Sequence, residues 1–484
     1  MMKSLHSLIP QNLILHQEGE NLPIEELCFD SRKAKNGSLF FAIPGTKVDG
    51  HDFIQQVMEA GCQAIVLEKI PEIPVGMAII QVKDSAEAMG HAASLFFDEP
   101  SKKIKLIGIT GTNGKTTTVT LLFNLFKNLG FKSGLLSTIE NKIQDTIIPA
   151  THTTPDAIQL NQLLNRMVEE DCEYAFMEVS SHSVVQHRIS GLNFTGAIFS
   201  NITRDHLDFH GTFDNYIKAK KGFFDQLSSK AWALVNIDDK NGKVMLQNTR
   251  AKKNHFSFFY PAEFKGKLKN NSLEGLELDF DGASFHARLI GEFNAYNLLA
   301  IYSTARLMGI PKEDLLIELS RLGNAPGRFE LIRGNSLMAI VDYAHTPDAL
   351  ENVLKTIKAV KGKNQRVLTL VGCGGNRDKG KRPMMAKIAC QYSDFSVFTS
   401  DNPRNEDPDQ ILLDMVQGLD KKELTKVKKI VDRGEAIQWA IQVWAEKNDL
   451  VLVAGKGHED YQIIQGEKIL FDDREEVRKF LLTD

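Results

Sequence analysis

Along this chain, short β-rich apolar runs alternate with stretches in which apolar positions recur every three or four residues. The runs are SLFFAIPG at 38–45, IKLIGIT at 104–110, YAFMEV at 174–179 and GAIFSNIT at 196–203. They continue with MAIVDYA at 338–344, RVLTLVG at 366–372, FSVFTS at 395–400 and LVLVAG at 450–455. Helical periodicity between many of them predicts crossover connections, hence parallel sheets and an α/β fold throughout. Thr116–Leu129 shows the helical pattern well. Val119, Leu122, Leu125, Phe126 and Leu129 fall on one stripe, and Gly130 follows as a C-cap.

Two polar, proline-containing breaks interrupt this pattern, at Phe97-Asp98-Glu99-Pro100-Ser101-Lys102-Lys103 and at Gly323-Asn324-Ala325-Pro326-Gly327. They divide the chain into 1–100, 101–330 and 331–484, each long enough for a core. The length of 484 residues agrees with about three domains. A hydrophobic share of 42% with 25% charged residues excludes a disordered or low-complexity chain. Lys+Arg 58 against Asp+Glu 62 leaves a net charge of -4, which argues against a nucleic-acid binder.

Five cysteines (Cys28, Cys62, Cys172, Cys373, Cys390) without a CxxC spacing speak against a disulfide framework or structural zinc, and for a reducing cytoplasm. The opening MMKSLHSLIPQNLIL lacks the apolar core and cleavage site of a secretory signal. No apolar run approaches ~18 residues, so no membrane insertion is expected.

The strongest local signal is Gly108-Ile109-Thr110-Gly111-Thr112-Asn113-Gly114-Lys115-Thr116-Thr117, where a buried strand enters a glycine-rich turn and then a helix. Glycines let backbone N–H groups approach phosphate oxygens, and the helix N-terminus adds its positive end. Lys115 would reach the β/γ-phosphates and the Thr116 hydroxyl would sit on Mg²⁺. The general pattern GxxxxGK[ST] asks for glycine at 109, where this chain has Ile109, so the loop is a variant form.

That variant, TGTNGKTTT, resembles the phosphate loop of the Mur ligase family, the ATP-dependent amide-forming enzymes of peptidoglycan precursor synthesis. Six further blocks resemble the family in its order: MEVSSH at 177–182, NITRDHLDFHG at 201–211, GEFNAYN at 291–297, GRFE at 327–330, DYAHTPD at 342–348 and AGKGHE at 454–459. The resemblance implies an N-terminal UDP-substrate domain, a central P-loop-type ATPase domain with a mostly parallel sheet, and a C-terminal Rossmann-like α/β domain that binds an amino acid.

It also implies residue roles. The loop Gly111, Thr112, Asn113, Gly114, Lys115, Thr116 and Thr117 would bind ATP together with Asn294, Arg328, Asp342 and His345. Asn294 and Asn297 would share a helix face. Glu178, at the end of a β-run beside a phosphate loop, has the chemistry a hard Mg²⁺ ion needs. Alone it would read as a solvated edge glutamate. His206, alone a hydrogen-bonded structural histidine, would lie beside a second metal.

Lys220, ten residues after His210, would carry a carbamate, which turns a cation that repels Mg²⁺ into an anion that binds it. Lys218 and Lys221 flank it in the same run. Ser31, Thr46, Lys47 and Val48 match the loops that hold UDP. Thr153, Thr154, Ser180, Gln186 and Arg188 match contacts to the muramoyl-peptide.

The last domain bears on which amino acid is added. Gly374-Gly375-Asn376-Arg377, Asp401-Asn402-Pro403-Arg404 and Gly455-Lys456-Gly457-His458-Glu459 all follow strand runs, where an open α/β sheet places its ligand crevice. DNPR resembles the form in members that add meso-diaminopimelate; lysine-adding relatives carry other residues there. Diaminopimelate is lysine with a further carboxylate at its far end, and Arg404 offers that group a planar, bidentate partner. The expected amino-acid set is Arg377, Asp401, Asn402, Pro403, Arg404, Gly455 and Glu459.

The expected substrates are thus small molecules, a UDP-muramoyl dipeptide and meso-diaminopimelate, with ATP and Mg²⁺, acting on a monomer. No clear general base for the amine stands out. A lysine-adding ligase, a folylpolyglutamate synthetase and an ATP-switched binding protein are the alternatives.

Overall fold

The computed structural model describes residues 2–45, 48–70, 76–150, 152–335 and 337–482. By compactness the chain forms two units, Met1–Phe256 and Ser257–Asp484.

Besides the short ladder of Lys3–Ser4 with Pro23–Ile24, the first unit holds two larger sheets. The smaller has the order Ile14–Glu18, Ala78–Val82, Ala64–Leu67, Ser38–Phe41, Glu26–Cys28, parallel except for its first strand. The inner strands Ser38–Phe41 and Ala64–Leu67 are buried on both faces, which is why they read as continuous apolar runs. Helix Ser85–Phe96 packs on it, started by Asp84, whose carboxylate accepts from Glu87 N at 2.8 Å.

The larger sheet runs parallel through Ser133–Leu136, Tyr174–Glu178, Lys105–Thr110, Gly196–Phe199, Trp232–Asn236 and Lys252–Ser257. An antiparallel hairpin, Glu140–Ile143 with Thr146–Pro149, extends its edge. Helix Lys115–Asn128 lies where the periodicity places it and ends at Gly130, φ 88°. It is buried on more sides than a single stripe, since Thr118 and Leu121 are enclosed as well.

The second unit departs from the parallel pattern expected throughout. It begins with an antiparallel meander, Phe264–Ser272, Gly275–Phe280 and Ala283–Ala287, beside helices Glu292–Leu307 and Lys312–Arg321. A six-stranded sheet follows, in the order Glu330–Arg333, Met338–Asp342, Leu450–Ala454, Val367–Cys373, Phe395–Ser400, Val427–Lys429. Only Glu330–Arg333 is antiparallel. Pro347–Val360, Lys381–Tyr392 and Pro408–Val416 cover one face, and Arg433–Trp439 with Asp473–Leu481 cover the other. Because four central strands are parallel, the loops after residues 342, 373, 400 and 454 emerge at one edge.

All five cysteines are free and buried. Burial pushes the Cys28 and Cys373 thiols up to about 12. No helix among the described residues is long and apolar enough to cross a membrane.

Candidate active site

The phosphate loop is braced by the segment that follows the neighbouring parallel strand, Gly196–Phe199. Asn113 N donates to Asn201 Oδ1 at 3.0 Å, while Asn201 Nδ2 donates back to Asn113 O at 3.0 Å. Thr112 N donates to Asn201 O at 2.9 Å, and Thr203 N donates to Thr112 Oγ1 at 3.0 Å. Gly111 leaves room for Ser200, whose Oγ a Cβ at this position would have to push aside. Gly114, at φ 87°, turns the chain into the helix that carries Lys115, Thr116 and Thr117.

Two lysines converge on one carbonyl. Lys115 Nζ donates to Gly111 O at 2.9 Å, and Lys220 Nζ donates to the same oxygen at 2.7 Å. Lys220 projects from helix Phe213–Asp225, is 1% exposed, and lies 4.6 Å from the centre of the Tyr216 ring. Burial, with the Lys115 ammonium adding to it, holds the Lys220 amine well below its ordinary value; Asp205 opposes. A neutral amine is the form that can react with CO₂, so this environment fits the carbamate. Lys218 and Lys221 do not share it: Lys221 pairs with Asp225 at 2.7 Å.

Glu178 ends strand Tyr174–Glu178, in register with Ile109 of the phosphate-loop strand. Its Oε1 accepts from Thr138 N at 2.7 Å, and its Oε2 is buried with no hydrogen-bond partner among the described residues. A buried carboxylate oxygen left unpaired is costly, and a cation would satisfy it. Among the described residues no group of three His, Cys, Asp or Glu is placed to hold a metal. Mg²⁺ takes one or two carboxylates and fills the rest of its shell with phosphate and water.

His206, at φ 53°, begins the short helix Leu207–His210, and partial burial with Lys115 and Lys220 lowers its pKa while Asp205 opposes. Its ring centre is 4.9 Å from that of His182.

The muramoyl-peptide candidates fall partly into one network. Thr154 Oγ1 donates to Glu178 O at 2.8 Å, Ser180 N donates to Thr154 Oγ1 at 3.2 Å, and Arg188 Nη1 donates to Thr154 O at 2.7 Å. Thr153 joins through Thr138 Oγ1, 3.1 Å away. Gln186 caps the short helix Ser181–Val185. Ser31 and Val48 lie on loops that follow two parallel strands of the smaller sheet; Thr46 and Lys47 lie outside the described residues.

In the second unit, Asn294 and Asn297 do share a face and bond to each other at 3.0 Å, with Asn294 Nδ2 donating to Ile290 O at 2.8 Å. Asp342 is buried and receives Phe329 N at 2.6 Å and Ala344 N at 2.7 Å, so it ties the GRFE turn to its own strand. Arg328 stacks 4.5 Å from the centre of Tyr343. His345 is exposed, its Nδ1 2.9 Å from Tyr343 O.

The amino-acid candidates gather at the sheet edge. Glu459 Oε2 accepts from Lys456 Nζ at 3.1 Å and Asn402 Nδ2 at 3.0 Å, and its Oε1 faces Tyr343 Oη at 3.4 Å. Lys456 is fully buried and also lies 3.7 Å from Asp401. Pro403 is buried, and Gly455 N donates to Asp342 O at 3.0 Å. Arg404 Nη1 donates to Gly375 O at 2.9 Å, and its guanidinium forms no ion pair among the described residues. Arg377 is exposed on the adjacent loop.

Buried charges support these loops. Arg382 bonds Asp414 at 2.7 Å and Glu406 at 2.9 Å, and Glu406 accepts from Asn376 N at 2.5 Å. Arg433 and Asp473, both fully buried, pair at 2.7 Å, and Arg433 also donates to Ala454 O and Ser400 O. Sequence reasoning missed Asn201, Tyr216, Lys456, Arg382 and the Arg433–Asp473 pair. The first three lie inside or beside the matching blocks; the others carry no local signal.

Three domain families match the chain in order: the Mur ligase family catalytic domain over 23–97, the Mur ligase middle domain over 109–305, and the Mur ligase glutamate ligase domain over 327–457. A protein of Cytophaga hutchinsonii named UDP-N-acetylmuramoyl-L-alanyl-D-glutamate--2,6-diaminopimelate ligase is 57% identical over 466 residues, covering 96% of each chain. The chain belongs to the Mur ligase family. A second family member of that name, from Parabacteroides distasonis, is 53% identical and again covers 96% of each chain. A solved Mur ligase structure described by the same name aligns with a TM-score of 0.70 and 32% identity, covering 99% of both chains. Like its relatives, this Mur ligase has the family's three-domain architecture and is an ATP-dependent, amide-forming enzyme.

Proposed function

We propose that this enzyme joins meso-2,6-diaminopimelate to the D-glutamate of UDP-N-acetylmuramoyl-L-alanyl-D-glutamate, at the expense of ATP, in peptidoglycan precursor synthesis. The observation that carries this reading is the end-to-end relationship at 57% identity to a ligase of that name. Arg404 supports the choice of amino acid: it is a held guanidinium, donating to Gly375 O and Asn402 O, with no carboxylate partner among the described residues. In the proposed division, 1–100 binds the UDP-substrate, 101–330 binds ATP and 331–484 binds the amino acid. Each proposed subsite uses one chain, so a monomer suffices, and the cytoplasm supplies ATP and keeps the thiols reduced.

The reaction begins with transfer of the γ-phosphoryl group to the D-glutamate side-chain carboxylate. Lys115 and the N–H groups of 111–117 cradle the phosphates and offset the charge that develops. The amine of diaminopimelate then attacks the acyl phosphate, and the tetrahedral intermediate collapses to amide and phosphate. Arg188 and Thr154 orient the peptide arm, with Ser31, Thr46, Lys47, Val48, Thr153, Ser180 and Gln186 completing the UDP-substrate set. Asn294, Arg328, Asp342 and His345 are further members of the proposed nucleotide set, of which Asp342 acts by fixing the turn that carries Arg328.

Arg404 and Arg377 take carboxylates of the incoming amino acid and Glu459 its ammonium, while Asp401, Asn402, Pro403 and Gly455 shape the loops. Thr116, Glu178, His206 and carbamylated Lys220 would hold Mg²⁺. When bound, it supplies charge neutralisation at the phosphates.

The test is phosphate release from ATP with the UDP-muramoyl dipeptide and either meso-diaminopimelate or L-lysine. Release only with diaminopimelate supports the reading. Equal release with lysine keeps the ligase and overturns the amino acid.

A further inference from the structure

Arg404 has φ 54°, a left-handed conformation that a non-glycine residue keeps only where its surroundings enforce it. What enforces it here is the hairpin Tyr461–Ile464 and Glu467–Leu470, a two-stranded sheet separate from the six-stranded one. Arg404 N donates to Ile463 O at 2.9 Å, and Gln465 N donates to Arg404 O at 2.6 Å. Ile463 N donates to Asn402 Oδ1 at 2.9 Å. The side chain of Gln462, 8% exposed, donates to Asp401 O at 2.8 Å. From the other side Gly375 N donates to Asn402 O at 2.9 Å, so residues 401–404 are gripped between two loops.

A lone hairpin is marginal in water. This one leaves Ile464, Ile469 and Leu470 exposed, so covering the core does not account for it. Its polar bonds go to Asp401, Asn402 and Arg404 of the DNPR segment.

We propose that this hairpin, with Gln462 as its principal positioning residue, fixes the backbone of Arg404 and thereby sets the preference for an amino acid with a carboxylate at its far end. This rests on the role proposed for Arg404 above. A guanidinium already aimed loses little freedom on binding, whereas one on a relaxed loop must be ordered by the ligand and can bend toward other groups. Gln462 acts through Asp401 and the loop main chain.

Gln462→Met keeps the side-chain size and removes the donor. The expected result is a rise of roughly five-fold in KM for diaminopimelate, the worth of one hydrogen bond. Both kcat and KM for ATP should stay within about two-fold, and the diaminopimelate-over-lysine ratio should fall by the same factor as KM rises. A second measurement is independent of activity. Glycine accepts a positive φ without strain, so Arg404→Gly should melt at a higher temperature than Arg404→Ala.

An unchanged KM, a parallel change in every constant, or Arg404→Ala melting at or above Arg404→Gly overturns the inference. Failure of the unsubstituted enzyme to release phosphate with diaminopimelate overturns the proposed function instead, and the melting comparison still reads the clamp.

Discussion

Around residues 111–116 the groups proposed to face ATP are neighbours in sequence, mostly main chain, braced by the reciprocal amide pair of Asn113 and Asn201. The loops 374–377, 401–404 and 455–459 are different. They come from three strands far apart in the chain, and buried ions hold them: Arg382 with Glu406 and Asp414, Arg433 with Asp473. A phosphate is bound the same way in every cycle by N–H groups and a lysine, so a short local motif suffices. Telling one amino acid from another requires charges at fixed distances, and here a scaffold of buried charge fixes the loops proposed to carry them. The first design should fail through single contacts, the second through its scaffold.

The largest expected effect belongs to the phosphate loop and stops the reaction whichever amino acid is offered. Lys115→Met should lower kcat by roughly three orders of magnitude, with either amino acid, when phosphate release is followed. Arg404→Ala should separate the two regions. It is expected to lower kcat/KM for diaminopimelate by about two to three orders of magnitude, with KM for ATP unchanged; an equal loss on both axes would end the distinction. Asp473→Asn touches no proposed ligand, yet strands Arg433, and should cost about 3–5 kcal/mol in a urea titration.

Acid sharpens the contrast further. Burial, with Arg328 adding to it, lowers His458 from 6.5 to about 3. Between those values the unfolded chain binds more protons than the folded one, so stability falls as pH drops through that window. Near pH 5 the penalty is about 2 kcal/mol, and His458→Gln should flatten this part of the stability curve. The smallest effect belongs to the phosphate loop: Asn201→Ala should cost about 1 kcal/mol of stability per lost hydrogen bond and raise KM for ATP, measured by melting and by kinetics.

The same contrast decides what could be read from the sequence. All eight apolar runs are strands, because continuous hydrophobicity survives only where both faces are covered. The phosphate loop was legible because strand, turn and helix are contiguous. The meander at 264–287 was not anticipated. Phe264–Ser272 shows lysines at 265, 267 and 269 and buries little beyond Gly266, although Leu276, Leu278 and Phe280 in the next strand do alternate. Lys456 lay inside a matching block and could have been singled out. Arg382 and Asp473 could not, since an arginine or aspartate on an amphipathic helix reads as solvated until the fold encloses it.

The unpaired thiols have a consequence for watching this enzyme unfold. Alkylating reagents attack thiolates, and in the native chain each cysteine is both enclosed and, at Cys28 and Cys373, held protonated to about 12. Labelling must therefore wait for the surrounding structure to open. Cys28 and Cys62 keep time for the five-stranded sheet, Cys172 for the phosphate-loop sheet, and Cys373 and Cys390 for the six-stranded one. A mass spectrum of tagged peptides taken over minutes would give the order in which the three sheets breathe, with no label engineered into the chain.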